Sequence, residues 1–214
     1  MRSIQFANNE YYHIYNRGVD KQKIFLQYGH YSRFLTTIRN ILNTGSATPR
    51  LFYNQGLALK SKVALLCYCL MPNHYHLLLH QTTEPGVTEF MHKLDTSYTM
   101  FFNKNNRRTG RFFESTFKAT KIESEEQLLH VSRYIHLNPV IARLVEKPEQ
   151  WHWSSHREYV GLISHDFCNT KPILSLFPSN KEYQQFVLDR REYGILLKEM
   201  EHEEEKHLNF SRTF

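Results

Sequence analysis

Residues 10 to 17, Glu-Tyr-Tyr-His-Ile-Tyr-Asn-Arg, are aromatic and β-branched and close on Gly18, the pattern of a strand running into a turn. From about Gly29 to Asn43, Phe34, Leu35, Ile38, Ile41 and Leu42 recur at spacings of three and four among polar residues, which predicts an amphipathic helix. Residues 44 to 60 mix Gly, Ser, Thr, Pro and Asn with a few apolar positions and read as a loop or an insertion. Lys62 to Leu70 is nearly continuously apolar, as a central strand covered on both faces should be. Met71-Pro72-Asn73 breaks it, and the chain returns through His74 to His80 as an antiparallel third strand.

After Pro85-Gly86, Val87, Phe90, Met91, Leu94, Tyr98, Phe101 and Phe102 again fall at helical spacing, predicting a second helix over Val87 to Asn103. A basic loop, 103 to 111, leads into a fourth predicted strand, Phe112 to Ile122. The order strand, helix, strand, strand, helix, strand is the split βαβ arrangement. The expected fold is therefore α+β, a ferredoxin-like antiparallel sheet with helices on one face and the other face open to a ligand.

A third helix starts at Ser124, whose hydroxyl can cap it. Glu125 and Glu126 occupy its first turn, and Gln127 stands where a capping box closes. It should run through Ile135 and stop near Asn138, because Pro139 disfavours helical geometry in the residue before it. Val140 to Val145 and Trp151 to Tyr159 read as short helical or irregular packing segments, in which Trp151 and Trp153 either stack on bases or fill the core. From Asn180, Tyr183, Phe186, Val187, Tyr193, Leu196 and Leu197 suggest one more helix, followed by a charged end at 201 to 205. The expected organisation is a main domain over 1–161 and a C-terminal helical extension with an acidic tail over 162–214.

Charge changes this picture. Residues 1 to 179 hold 21 Lys and Arg against 13 Asp and Glu, a net of +8, which suits a polyanionic partner. Hydrophobic residues at 41% and charged residues at 22% exclude bulk disorder. With no apolar run near bilayer length and no signal-like apolar core at the N-terminus, the expected location is the cytoplasm. Three cysteines, two of them in the apolar second strand, do not indicate a disulfide framework.

The candidate chemistry centres on Met71-Pro72-Asn73-His74-Tyr75-His76-Leu77. In a strand, His74 and His76 project from one face while Tyr75 and Leu77 take the other. Two adjacent neutral imidazoles make half of a metal site. On the third helix Tyr134 and Asn138, four apart, share a face, and His136 falls on the far side. A phenol attacks phosphorus usefully when a divalent cation polarises the phosphate, and the Asn138 amide oxygen could supply a third ligand. Arg17, Lys104, Arg107, Arg108, Arg111, Lys118 and Lys121, interleaved with Phe113 and Phe117, are the candidate nucleic-acid contacts: cations for phosphates and rings for stacking. Cys67-x-Cys69 ahead of His74-x-His76 also mimics a structural zinc pattern.

Three strings carry a resemblance: Tyr11-Tyr12-His13-Ile14-Tyr15-Asn16-Arg17-Gly18, Tyr68-Cys69-Leu70-Met71-Pro72-Asn73-His74-Tyr75-His76-Leu77-Leu78, and Arg133-Tyr134-Ile135-His136-Leu137-Asn138-Pro139-Val140. Together with Trp153 to Tyr159 and Gly161 they resemble the single-tyrosine HUH transposases, in the branch associated with repetitive extragenic palindromes. The resemblance implies a domain that binds a single-stranded DNA hairpin and cuts beside it. It implies His74 and His76 as ligands of Mg²⁺ or Mn²⁺, and Tyr134 as the nucleophile that leaves a 5′-phosphotyrosine and a 3′-hydroxyl. Asn138 stands where transposon members often carry a Gln ligand, and Glu114, Ser115 and Thr116 replace the usual Gln-Gly-Arg. The family includes both homodimers and, in the palindrome-associated branch, monomers. A domesticated relative that binds a DNA or RNA hairpin without cutting it is the alternative.

Overall fold

The computed structural model describes residues 4–42, 62–164 and 168–189. The insertion expected at 44 to 60 and the acidic end at 201 to 205 lie outside the described residues.

The aromatic first segment forms β1, Glu10–Arg17. The apolar run and the histidine segment form β2, Val63–Met71, and β3, His74–Gln81, and β4 is Lys118–Ile122. They make one antiparallel sheet in the order β2-β3-β1-β4. The crossover helices are α1, Tyr28–Leu42, and α2, Gly86–Asn105. The alternation along the strands separates two cores. Tyr12, Ile14, Tyr75, Leu77 and Leu79 pack with Phe34, Ile38, Phe90, Leu94 and Tyr98 beneath α1 and α2. The Tyr75 hydroxyl donates to Asp95 on α2 at 2.7 Å and the Tyr98 hydroxyl to the Ile24 carbonyl at 2.7 Å, so the buried phenols are satisfied.

The fourth strand is shorter than its sequence pattern predicts. Phe112 to Glu114 pair instead with the chain just beyond β1, through Val19 N to Phe112 O and Glu114 N to Arg17 O. Asn16 then holds the next turn by donating to the Ser115 carbonyl at 3.0 Å. Phe113 and Phe117 drop into the core and are not displayed as stacking rings. Gly18 sits where a Cβ would lie 2.5 Å from the Gln22 carbonyl, so this corner has no room for a side chain.

The expected helices on one face are α1 and α2; a further helix, α3, Glu125–Ile141, lies on the other face against β2 and β3. Ser124 caps it as predicted, its Oγ accepting from Gln127 N at 3.1 Å, and the Gln127 side chain accepts from Glu123 N. The helix does not stop at Asn138. Pro139 is inside the last turn, where it removes one backbone donor, and buried Ile135, Leu137 and Val140 hold the turn in place. Ala142 N still reaches Asn138 O, and Arg143 with φ of 55° ends the run.

The remaining short helices, α4, His156–Tyr159, α5, Lys171–Leu174, and α6, Asn180–Leu188, share one apolar cluster with α3. Residues 153 to 155 also pair with β2, through Leu70 N to Trp153 O and Ser155 N to Tyr68 O, and Asn169 N reaches Leu65 O. The outer edge of β2 is thereby covered by the chain itself. Trp153 stacks on Tyr31 at 4.7 Å, and the Trp151 indole donates to the Leu70 carbonyl at 3.0 Å, so both are packing residues. No helix among the described residues is long and apolar enough to cross a membrane.

The inward side of α3 is held by a polar network. His136 lies between the Tyr183 hydroxyl at 2.7 Å from Nδ1 and Ser155 Oγ at 2.9 Å from Nε2. The fully buried His156 stands edge-on to it at 5.3 Å. Burial pushes the His156 imidazole down to about 4, and burial reinforced by His156 holds His136 well below the usual imidazole range. Unfolded imidazoles titrate near about 6.5, so below that pH the unfolded chain takes up protons that the native chain refuses. Stability is expected to fall from about pH 6.5 down to the native value near 4, by on the order of 3 kcal/mol for His156. Urea titrations across this window should show the loss, and His156→Leu should flatten it relative to the parent.

Candidate active site

The site is built on the sheet face that carries α3. Alternation in β3 sends His74 and His76 to that face, and the pairing of β1 with β3 sets Tyr15 directly opposite His76 and Arg17 opposite His74. On the other side of β1, Lys118 stands opposite Tyr15, so His76, Tyr15 and Lys118 form one row across three strands. The Lys118 ammonium lies 5.9 Å from the Tyr15 ring centre. His74 and His76 meet nearly edge to face, with ring centres 4.9 Å apart. Tyr134 of α3 closes the group, its ring 5.4 Å from that of His76 and 6.0 Å from that of His13. It is 47% exposed, so this face of the site is open to a large ligand.

The tautomers bear directly on whether these rings suit a cation. Asn73 Nδ2 donates to the Lys21 carbonyl at 3.2 Å, which orients the amide so that Oδ1 faces His74 Nδ1 at 2.6 Å. An amide oxygen only accepts, so Nδ1 of His74 carries the proton and Nε2 keeps its lone pair. That is the state a metal-binding imidazole needs. His76 Nδ1 is engaged in turn by His13 Nε2 at 3.0 Å. The pair fits a divalent cation as a partial ligand set. Among the described residues no three His, Cys, Asp or Glu side chains are grouped to hold a metal, so a cation held by this pair would take the rest of its shell from an amide, water or the substrate. Asn138 is buried, and its Nδ2 donates to the Tyr134 carbonyl at 3.3 Å.

Residues 34–138 match the family model described as Transposase IS200 like, a span that holds His74, His76, Tyr134 and Asn138. The chain carries an IS200-like transposase domain. No curated protein matches it significantly. Among solved structures, that of a REP-associated tyrosine transposase bound to a REP hairpin superposes with a TM-score of 0.59 at 12% identity, over 79% of this chain and 93% of that one. It shares the fold. A Deinococcus radiodurans R1 protein described as a transposase is a looser likeness, with a TM-score of 0.39 at 15% identity over 63% of this chain and 95% of that one.

The transposase domain distributes its expected nucleic-acid contacts unevenly. Arg17 ends β1 at the His74 end of the sheet, and the segment after Arg111 pairs with the chain just beyond Arg17. Lys104, Arg107, Arg108 and Arg111 thus belong to the α2 terminus and loop at that same end, with Arg108 lying over Phe112 at 5.6 Å and Arg111 Nε donating to the Phe113 carbonyl. Lys121 is placed differently. It stands opposite Tyr12, on the face of α1 and α2, and pairs with Glu10 at 2.8 Å. A groove of about 1220 Å³ runs between α2 and residues 111–119, lined by Asp95, Met100, Arg111, Phe117 and Lys118, and reaches the site at Tyr15.

Cys67 and Cys69 are fully buried beside α3, and burial pushes both thiols up. A zinc thiolate needs the deprotonated form, so they act as core residues. His13 and Tyr15 are missing from the sequence-derived site. Their signal was the period of two in β1, which puts Tyr11, His13, Tyr15 and Arg17 on one side, but only the register with β3 shows that this side meets His76. Burial also pushes the His13 imidazole down to about 4. Because the described contacts of Tyr134 are made by its ring, Tyr134→Phe is expected to leave the unfolding free energy within about 0.5 kcal/mol of the parent, measured by denaturant titration.

Proposed function

We propose that this chain is a metal-dependent single-strand DNA nickase and strand transferase that acts beside a DNA hairpin through a 5′-phosphotyrosine intermediate. One observation carries the reading. Tyr134 reaches the His74 and His76 pair of its own chain, bringing a nucleophile and a cation-ready donor pair onto one open face. The REP-associated relative, bound to a REP hairpin, supports a hairpin as the ligand class.

In this reading His74 and His76 hold Mg²⁺ or Mn²⁺ through Nε2, with the Asn138 amide oxygen as a third ligand. The bound cation would polarise the scissile phosphate and offset charge on its oxygens. The Tyr134 oxygen attacks phosphorus, the bond from phosphorus to the 3′ oxygen breaks, and the proton lost by the phenol is balanced by the one gained at the leaving 3′-hydroxyl. The phosphotyrosine keeps the energy of the phosphodiester, so a later 3′-hydroxyl can reverse the step and join a new strand without a nucleotide cofactor. Arg17, Lys104, Arg107, Arg108 and Arg111 hold the phosphates of the hairpin at the His74 end of the sheet. Lys118 guides the flanking single strand along the groove that opens at Tyr15. With Tyr134 serving its own chain and the outer edge of β2 already covered, the unit of catalysis is a monomer. Residues 1–161 form the catalytic domain and 162–214 an extension.

Labelled hairpins with single-stranded flanks, taken from the DNA around the gene, test this on denaturing gels. A covalent adduct is expected with Mn²⁺ or Mg²⁺, none with chelator, and none in Tyr134→Phe, whose hairpin affinity should stay within about twofold of the parent. Tight binding without any adduct would make the protein a non-cutting hairpin binder. Raising salt from 50 to 200 mM should weaken hairpin binding by about a hundredfold or more if the basic end makes the phosphate contacts.

A further inference from the structure

His13 is an imidazole on the site face, in contact with His76, that the proposed reaction leaves idle. It lies on β1, diagonal to His76 across the pairing of β1 with β3, because its direct partner is Leu78. Its ring is nearly parallel to that of His76, 22° apart with centres 5.2 Å apart, and Nε2 of His13 faces Nδ1 of His76 at 3.0 Å. Its own face is closed by Tyr134, edge-on at 6.0 Å, and by Tyr15 at 5.2 Å. The ring therefore has one polar contact that matters to the site, and that contact ends on the ring nitrogen His76 would turn away from a cation.

We propose that His13 is a positioning residue that sets the tautomer of His76. Two neutral imidazoles joined by one hydrogen bond have two states. In one, His13 Nε2 carries the proton, and His76 then bears its own proton on Nε2 and cannot ligate through it. In the other, His76 Nδ1–H donates to His13 Nε2 and His76 Nε2 keeps the lone pair. The second state is the counterpart of His74, whose Nδ1–H is fixed by the Asn73 oxygen at 2.6 Å. The two candidate ligands thus use one device with different acceptors: an amide oxygen from the preceding turn for His74, and an imidazole nitrogen from the neighbouring strand for His76. His13 is not itself a third ligand, since no three such side chains are grouped for a metal among the described residues. Outer hydrogen-bond partners of this kind commonly contribute tenfold or more to metal affinity.

The inference rests on the metal reading of His74 and His76, and its test separates the two. Mn²⁺ affinity of the full chain, followed by the electron paramagnetic resonance of free Mn²⁺ without DNA, is compared in the parent, His13→Leu, His13→Gln and His76→Ala. His13→Leu removes the acceptor and is expected to bind Mn²⁺ about 10- to 100-fold more weakly. His13→Gln, whose amide oxygen can accept, is expected to recover most of that loss. Affinity for hairpin without metal should not change in either. An unchanged affinity in His13→Leu, or equal losses in Leu and Gln, overturns the role of His13 while His76→Ala still reports the site. Retention of Mn²⁺ affinity in His76→Ala overturns the metal reading and the inference with it. Should His13→Leu fail to fold, the ¹⁵N resonances of the parent decide: a His76 ring protonated on Nδ1 supports the inference, and one protonated on Nε2 overturns it.

Discussion

Strand β3 is paired on both sides, to β2 and to β1, and this double pairing is the constraint on which the site depends. A strand locked between two neighbours cannot slip by one residue without turning its apolar side to the wrong layer. Tyr75, Leu77 and Leu79 are committed to the core under α1 and α2, so His74 and His76 have no choice of face. The same registers place Tyr15 and Lys118 in line with His76 and put Arg17 beside His74. The geometry of the candidate site is thus inherited from ordinary hydrophobic packing on the opposite side of the sheet.

The second requirement is that α3 lie at a fixed height above that face. Its inward residues are unusual for a core, since His136 is bound between Tyr183 of α6 and Ser155 of the segment along β2. A buried imidazole with both nitrogens engaged fixes rotation about the helix axis more tightly than aliphatic packing would, because hydrogen bonds are directional. Tyr134, two residues earlier, is carried to the half-exposed side and over the histidine pair. The C-terminal helices therefore serve the site without touching it: they hold the helix that holds the tyrosine.

Electrostatics divides the surface in a way that follows the fold. Arg17 and the loop after α2 gather at the His74 end because β1 and the segment 112–114 run together there. Lys118 alone extends the positive charge along the site row, while Lys121, one pleat out of phase, is turned to the opposite face and neutralised by Glu10. Charge counts cannot make this distinction; the pleat of a strand can.

Much was legible in the chain. Apolar runs, helical spacing and the Ser124 cap marked the four strands and three long helices of the described residues, and His74-x-His76 and Tyr134 could be given a side of their element because local geometry alone dictates it. What local pattern missed was decided by contacts distant in sequence. Phe113 and Phe117 looked like stacking rings in a strand, yet Asn16 and the corner at Gly18 bend that segment so that both rings enter the core. Pro139 looked like a stop, yet burial of its neighbours carries the helix one turn further. His13 was an unremarked residue of an aromatic strand until the register of β1 on β3 set it against His76. The sequence by itself determined which side of each element is apolar, because that depends on chain period alone. Only the tertiary structure decided which polar residues meet, because register and helix docking are set by the summed packing of the whole sheet.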